Sequence, residues 1–185
     1  RYLHAASGYR FGVHALFFDG SQRKVHFIWT LPCSGEEIQS NFEMGEELRQ
    51  ALQNAREAAG HTAGYCIFID LPQAFVEGPS LGLAAYLSLQ AQQEQKRVSP
   101  GLAATGAMRR ESGKWKIEEV LYVFQKVEAA AVDPFGIEEV LAPAANKLEA
   151  EQASRERLEV VSISSLEEMD RLPVFVEDRM RVLER

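Results

Sequence analysis

Only two cysteines occur in the 185 residues, Cys33 and Cys66, far apart and outside any metal-ligand spacing. That scarcity argues against a disulfide framework and a cysteine zinc site. Both are expected to be unpaired, buried and apolar in character, which points to a reducing compartment and a cytoplasmic location. Basic charge is also short: 20 Lys and Arg against 27 Asp and Glu leave a formal net charge of -7. Without a basic stripe to meet phosphates, no direct nucleic-acid binding is expected. No apolar run is long enough to cross a bilayer and no signal peptide opens the chain, so no membrane partner is expected. A chain that begins at Arg1 is expected to be a fragment of a longer one. Missing too are HExxH, paired CxxC, GxxxxGK[ST] and GxGxxG. Zinc hydrolysis, thiol redox chemistry and nucleotide binding through those motifs therefore have no support, and neither a metal nor a cofactor is expected in this domain.

What is present is enough apolar material for one full core. At 46% hydrophobic residues, positions 1–185 are expected to form a single domain. "FGVHALFFDG" and "RKVHFIWTLP" are β-rich runs joined through Asp19-Gly20, a strong turn pair, and predict a hairpin over 11–31. In "EMGEELRQALQNAREAAG" the residues Leu48, Ala51, Leu52 and Ala55 fall at helical spacing and Gly60 supplies a stop. "GYCIFIDLP" reads as a buried strand, and "LGLAAYLSLQAQQEQ" as a helix that is apolar first and polar later. "LAATGAMRR" and "GKWKIEEVLYVF" predict strands around a turn at Glu111-Ser112-Gly113, and "QKVEAAAV" begins a helix ending near Asp133-Pro134. "IEEVLAP" predicts a strand, "ANKLEAEQASRERL" a charged helix, and "EVVSIS" a strand. "SLEEMDRL" predicts a last helix with a capping box from Ser165 to Glu168. The class is α+β or mixed α/β.

The segment "EGPSLGLAAYLSL" raises a choice about Ser80. A serine before an apolar helical run is a favoured N-cap. The same position lies beside free N–H groups and the positive helix end, where a developing oxyanion is stabilised. The residues alone leave cap and nucleophile both open. His4, His14, His26 and His61 are scattered, and none is singled out as a partner base. A lysine kept neutral by burial also activates a serine. Lys126, in "VLYVFQKVEAAAV", has the least polar surroundings of any lysine in the chain, against the alternative that it reaches past apolar neighbours to solvent.

In this order, "EGPSLGL", "TGAMRRESGKW", "QKVEAA", "GIEEVLAPAANK" and "LEVVSISSLEEM" resemble the proteolytic domain of the Lon protease family. That family carries a D-G-P-S-A-G serine motif, a T-G-E turn, a lysine opening a K-x-x-A-A helix and a P-x-x-N-K-like stretch. The hairpin and "SNFEMGEELRQALQNAREAAG" also look like its first strands and helix, so the resemblance covers nearly the whole chain. It implies a Lon-type fold, Ser80 as nucleophile and Lys126 as general base. Supporting roles fall on Thr105, whose hydroxyl would help to hold the lysine, and on Glu77, Gly78 and Pro79 of the serine motif. It further implies endopeptidase action on unfolded or partly unfolded polypeptides and a six-membered homo-oligomeric ring. No AAA+ ATPase module is encoded in these residues, so ATP dependence would require one elsewhere in the same chain or in a partner.

The sequence also departs from the family pattern. Glu77 stands for the usual Asp, Leu81 for the small residue after the nucleophile, and Ala107 for the Glu of T-G-E. "KIEEVLYVFQ" takes the place of a P-x-G-G approach to the lysine, and a shifted register would put Glu128 on the lysine position. Such drift is what a second reading expects, in which a Lon-type domain without proteolytic activity serves as a ring-forming scaffold for an attached ATPase.

Overall fold

The computed structural model describes residues 8–70, 75–134 and 136–177. Strands β1 (Val13–Phe18) and β2 (Arg23–Pro32) form the expected hairpin, with Val13 opposite Ile28 and Phe18 opposite Arg23. Its turn follows from its residues. Gly20 takes φ +91°, and the Asp19 carboxylate accepts hydrogen bonds from the N–H groups of Ser21 and Gln22 at 2.8 and 2.6 Å.

The chain continues through β3 (Ile38–Ser40), β4 (Glu43–Met44), helix α1 (Glu46–Ala58), β5 (Tyr65–Ile69) and β6 (Phe75–Val76). A 3-10 turn (Pro79–Leu81) then runs directly into α2 (Gly82–Glu94). Short strands β7 (Arg97–Val98) and β8 (Leu102–Ala104) follow, then the hairpin of β9 (Ala107–Glu111) and β10 (Lys114–Glu118). The last part comprises α3 (Val123–Ala131), β11 (Glu139–Pro143), α4 (Lys147–Ser154), β12 (Glu159–Ile163), α5 (Leu166–Met169) and β13 (Phe175–Val176).

The main sheet has seven strands in the order β12-β11-β8-β1-β2-β5-β3. From β12 to β1 the neighbours are parallel, whereas β2 runs antiparallel to both β1 and β5. The protein is mixed α+β. Alternation along each strand sends successive side chains to opposite faces, and both faces are covered. Ala15, Leu102, Ala104 and Leu141 join one core with Leu48 and Leu52 of α1 and Leu83 and Leu87 of α2. Leu16, Ala103, Val140 and Ala142 join the other with Val123 and Val127 of α3 and Ala150 and Ala153 of α4. The α1 stripe is the one its spacing predicts: Leu48, Ala51, Leu52 and Ala55 are all buried. Helix α2 is buried on every side from Gly82 to Leu89, including Ser88, whose hydroxyl bonds both the N–H and the Oγ1 of Thr30 at 3.0 Å. An all-round buried helix explains why its sequence begins apolar and not amphipathic. Among the described residues no helix is long and apolar enough to cross a membrane.

Cys33 and Cys66 form a disulfide, against the expectation of unpaired thiols. The reason lies in strand register: β2 lies beside β5 with Pro32 opposite Tyr65, and Cys33 N–H donates to Gly64 C=O at 3.3 Å. The two Cα atoms are thereby brought to 5.8 Å, within disulfide reach. The compartment expectation rested on unpaired thiols and loses that support. The strand predicted through "EEVLYVF" stops at Glu118, and α3 starts at Val123, two residues before the predicted start. Tyr122 takes φ 62° between them, which ends extended structure. The capping box of α5 is displaced by one residue. Ser165 makes no side-chain cap, and the Glu168 carboxylate accepts instead from the Ser164 N–H at 3.3 Å and from the Ser164 hydroxyl.

Candidate active site

Ser80 is presented by a turn that glycine and proline fix. Gly78 has φ 92° and ψ 154°, a region open essentially to glycine alone, and Pro79 takes the first position of the 3-10 turn. Two main-chain hydrogen bonds tie the turn and the start of α2 to the link between β8 and β9: Gly106 N–H donates to Ser80 C=O at 2.9 Å, and Leu83 N–H donates to Gly106 C=O at 3.0 Å. Ser80 does not cap α2. It lies inside the 3-10 turn, the N-cap position falls on Leu81, and no side-chain cap forms. Its hydroxyl is therefore free of the role that a sequence reading gives it by default.

Glu77, the residue before Gly78, is turned towards α1. Its Oε1 accepts from Gly78 N–H at 2.9 Å and from Leu48 N–H, in the first turn of α1, at 3.4 Å. The N-cap of α1 is Gly45, and a Cβ there would collide with the Glu77 carboxylate. Glu77 thus caps a helix from a neighbouring loop, satisfying an orphan donor and facing the positive helix end. This ties the serine turn to α1.

Lys126 comes from the first half of α3, on the other face of the sheet. It is 5% exposed, and its Nζ donates to Ser80 Oγ at 3.0 Å. Burial pushes its amine down to about 8 from 10.5, with Glu149 pulling in the opposite direction. Glu128, the alternative under a shifted register, points elsewhere and is paired with Arg23 and Arg155.

Thr105 is fully buried at the end of β8, one residue before the Gly106 that anchors Ser80. Its N–H donates to Leu141 C=O at 3.0 Å, whereas its Oγ1 has no hydrogen-bond partner in the structure. The expected hold of this hydroxyl on Lys126 is therefore not made. An unpaired buried hydroxyl is costly and marks a place where a donor or acceptor is wanted.

Ser80 and Lys126 open into a cleft of about 320 Å³. It is lined by Leu16, Phe17 and Phe18 of β1, by Val76 and Pro79 and by Leu121 and Tyr122. A second groove of about 380 Å³ shares Phe17, Phe18, Val76, Glu77 and Tyr122 with it and extends it towards Phe75. Leu121 and Tyr122 at the first cleft and Phe75 at the second groove are 72%, 50% and 54% exposed, an apolar rim along the two. No described histidine lines the cleft that holds Ser80. His14 packs edge-on to Phe27 with burial lowering its basicity, His26 Nδ1 lies 3.2 Å from Asp70, and His4 is outside the described residues. Among the described residues no imidazole stands at Ser80 to form a Ser-His pair. Among the described residues no cluster of three or more His, Cys, Asp or Glu could hold a metal ion.

Sequence reasoning missed Asn146 and Glu149. Asn146 Oδ1 accepts from Val120 N–H at 3.0 Å, and Glu149 Oε1 accepts from Phe124 N–H at 3.0 Å. The stretch "PAANKLE" was visible, but nothing in its spacing says that it reaches back to residues 120–124. No protein-family model matches the chain, and no curated protein matches it.

Proposed function

We propose that this chain is a Ser-Lys peptidase domain of the Lon type, cleaving peptide bonds in unfolded or partly unfolded polypeptides. The observation that carries the reading is the 3.0 Å contact between Lys126 Nζ and Ser80 Oγ, made by a lysine that burial holds near 8. A nucleophile and base within hydrogen-bond reach, with the base poised near neutrality, meet the needs of general-base catalysis.

In the first step, neutral Lys126 takes the Ser80 proton as Oγ attacks the carbonyl carbon. Backbone N–H groups around Ser80 receive the developing oxyanion; Pro79 has none to give, and Gly82 N–H is already donated to Pro79 C=O. The resulting ammonium then passes its proton to the leaving amine, which gives an acyl-Ser80 intermediate. Attack by water, with Lys126 again acting as base, releases the second product and restores the dyad. The apolar rim formed by Phe75, Leu121 and Tyr122 suits a substrate in extended form, with its side chains no longer packed in a core. On the same family resemblance, the domain assembles as a six-membered ring driven by an AAA+ ATPase module in the same chain or in a partner.

The test is hydrolysis of casein by wild type and Ser80→Ala. The variant should lose all detectable activity. Because Ser80 caps no helix, the variant's loss of stability in urea unfolding should be no more than that of the one hydrogen bond from Lys126, about 0.5–1.5 kcal/mol. Full activity in the variant would remove Ser80 from the mechanism. Stable rings of wild-type protein without hydrolysis under any condition would favour the scaffold reading.

A further inference from the structure

Helix α3 delivers Lys126, yet nothing in its own sequence caps it: Tyr122 at its N-cap supplies no side-chain hydrogen bond. Two side chains from the start of α4 take over. Asn146 is 3% exposed and grips a single residue by both ends, its Oδ1 accepting from Val120 N–H at 3.0 Å and its Nδ2 donating to Val120 C=O at 3.1 Å. Two bonds to one residue fix its orientation as well as its place. Asn146 Nδ2 also reaches Glu149 Oε2 at 3.4 Å, while Glu149 Oε1 takes the orphan Phe124 N–H in the first turn of α3. Loop 119–122, which walls the cleft, and the turn that carries the lysine are thereby held by one clasp.

We propose that Asn146 and Glu149 are positioning residues for Lys126, Asn146 setting where α3 begins and Glu149 capping it and supplying the negative field that steadies the ammonium. The proposal rests on the peptidase reading for its purpose, but not for its test. The proton moves from Ser80 Oγ to Lys126 Nζ and on to the leaving group; Glu149 accepts none.

The other charges around Lys126 do not take this role. Glu128, on the same helix, is paired with Arg23 of β2 and with Arg155. Glu47 of α1, Glu77 and Glu119 stand exposed at the cleft, where water screens them. On β1 and β2, His26 is set against Asp70, Lys24 lines the neighbouring groove and burial lowers the basicity of His14 against the pull of Asp133 and Asp70. On α4, exposed Lys147 and Glu151 pair with each other at 3.7 Å. Glu149 is half-buried, and it is the carboxylate whose charge favours the Lys126 ammonium.

The experiment is an NMR titration of the whole chain labelled with 13C at lysine Cε. The Lys126 signal is assigned by its loss in Lys126→Met. Glu149→Gln keeps a carbonyl oxygen for Phe124 N–H and removes the charge, together with the longer contact from Asn146 Nδ2. Its Lys126 signal should titrate at lower pH than in wild type, and the pH–rate limb should move with it; a Lys126 titration that stays in place overturns the proposal. The titration is read without turnover, so an inactive chain would defeat the peptidase reading and still leave this result to be obtained. Asn146→Asp loses the donor to Val120 C=O and sets a second carboxylate beside Glu149. Its kcat should fall severalfold with KM little changed, and a wild-type kcat in a folded variant would remove Asn146 from the clasp.

Discussion

The serine half and the lysine half of the site are built in different ways. Ser80 is held by main chain: a glycine in a conformation closed to other residues, a proline, and hydrogen bonds with Gly106 between β8 and β9. Lys126 is held by side chains from another element, Asn146 and Glu149, acting on the loop and first turn of α3. The two halves also belong to different cores, Leu81 next to Ser80 packing with α1 and α2, and Val127 next to Lys126 packing with α3 and α4. A contact that spans two cores depends on the packing of both. A nucleophile needs a fixed direction, which backbone geometry supplies. A base needs a fixed charge state, which burial and neighbouring side chains supply.

The sharpest way to break the lysine half is Lys126→Met. Activity should vanish. Holding a lysine near 8 instead of 10.5 means that its charged form is disfavoured in the fold by about 3 kcal/mol. Between those values the unfolded chain binds more protons than the folded one, so wild-type stability rises with pH across that window and gains nothing from this group below it. At pH 7 the variant should therefore be at least as stable as wild type in urea unfolding. A variant markedly less stable would show that the ammonium is well solvated or paired.

The serine half is sharpened by two glycines with nearly the same φ. Gly78 and Gly20 both have positive φ, 92° and 91°, and an added Cβ would have open space at each. Gly78→Ala and Gly20→Ala should each cost about 1–3 kcal/mol from backbone strain alone. Only Gly78→Ala should also lower kcat, because only that strain is transmitted to Ser80. Equal activity in the two variants would show that the turn does not set the nucleophile's direction.

The smallest effect is expected at the junction of the halves. Thr105→Val removes a buried hydroxyl without a partner and keeps the shape, so stability should be unchanged or rise by up to about 1 kcal/mol. Thermal unfolding would reveal a partner if the variant were less stable by more than that.

Much of this was legible in the sequence, and the parts that were not share a cause. The α1 stripe of Leu48, Ala51, Leu52 and Ala55 and the Asp19-Gly20 turn are local patterns, so they could be read directly. "EGPSLGL" carries its own geometry in Gly78 and Pro79, which is why the serine turn could be singled out. The Cys33–Cys66 disulfide depends on the pairing of β2 with β5, a register that no local spacing encodes. The clasp on α3 joins residues 26 apart in the chain, Val120 and Asn146, and its members resemble ordinary polar residues of a charged helix. Ser80 as a helix cap failed for a finer reason: a 3-10 turn was inserted before α2, which moved the cap position to Leu81.

The central claim is that Lys126 in its neutral form activates Ser80, and the rate at which a fluorophosphonate labels Ser80 as a function of pH tests it most directly. In wild type the rate should rise with pH along a single limb centred near 8, the value burial gives this lysine. In Lys126→Met that limb should be gone and the labelling slow at every pH. Labelling of Lys126→Met at the wild-type rate, or a limb in wild type centred near the ordinary histidine range of about 6.5, would contradict the Ser-Lys assignment.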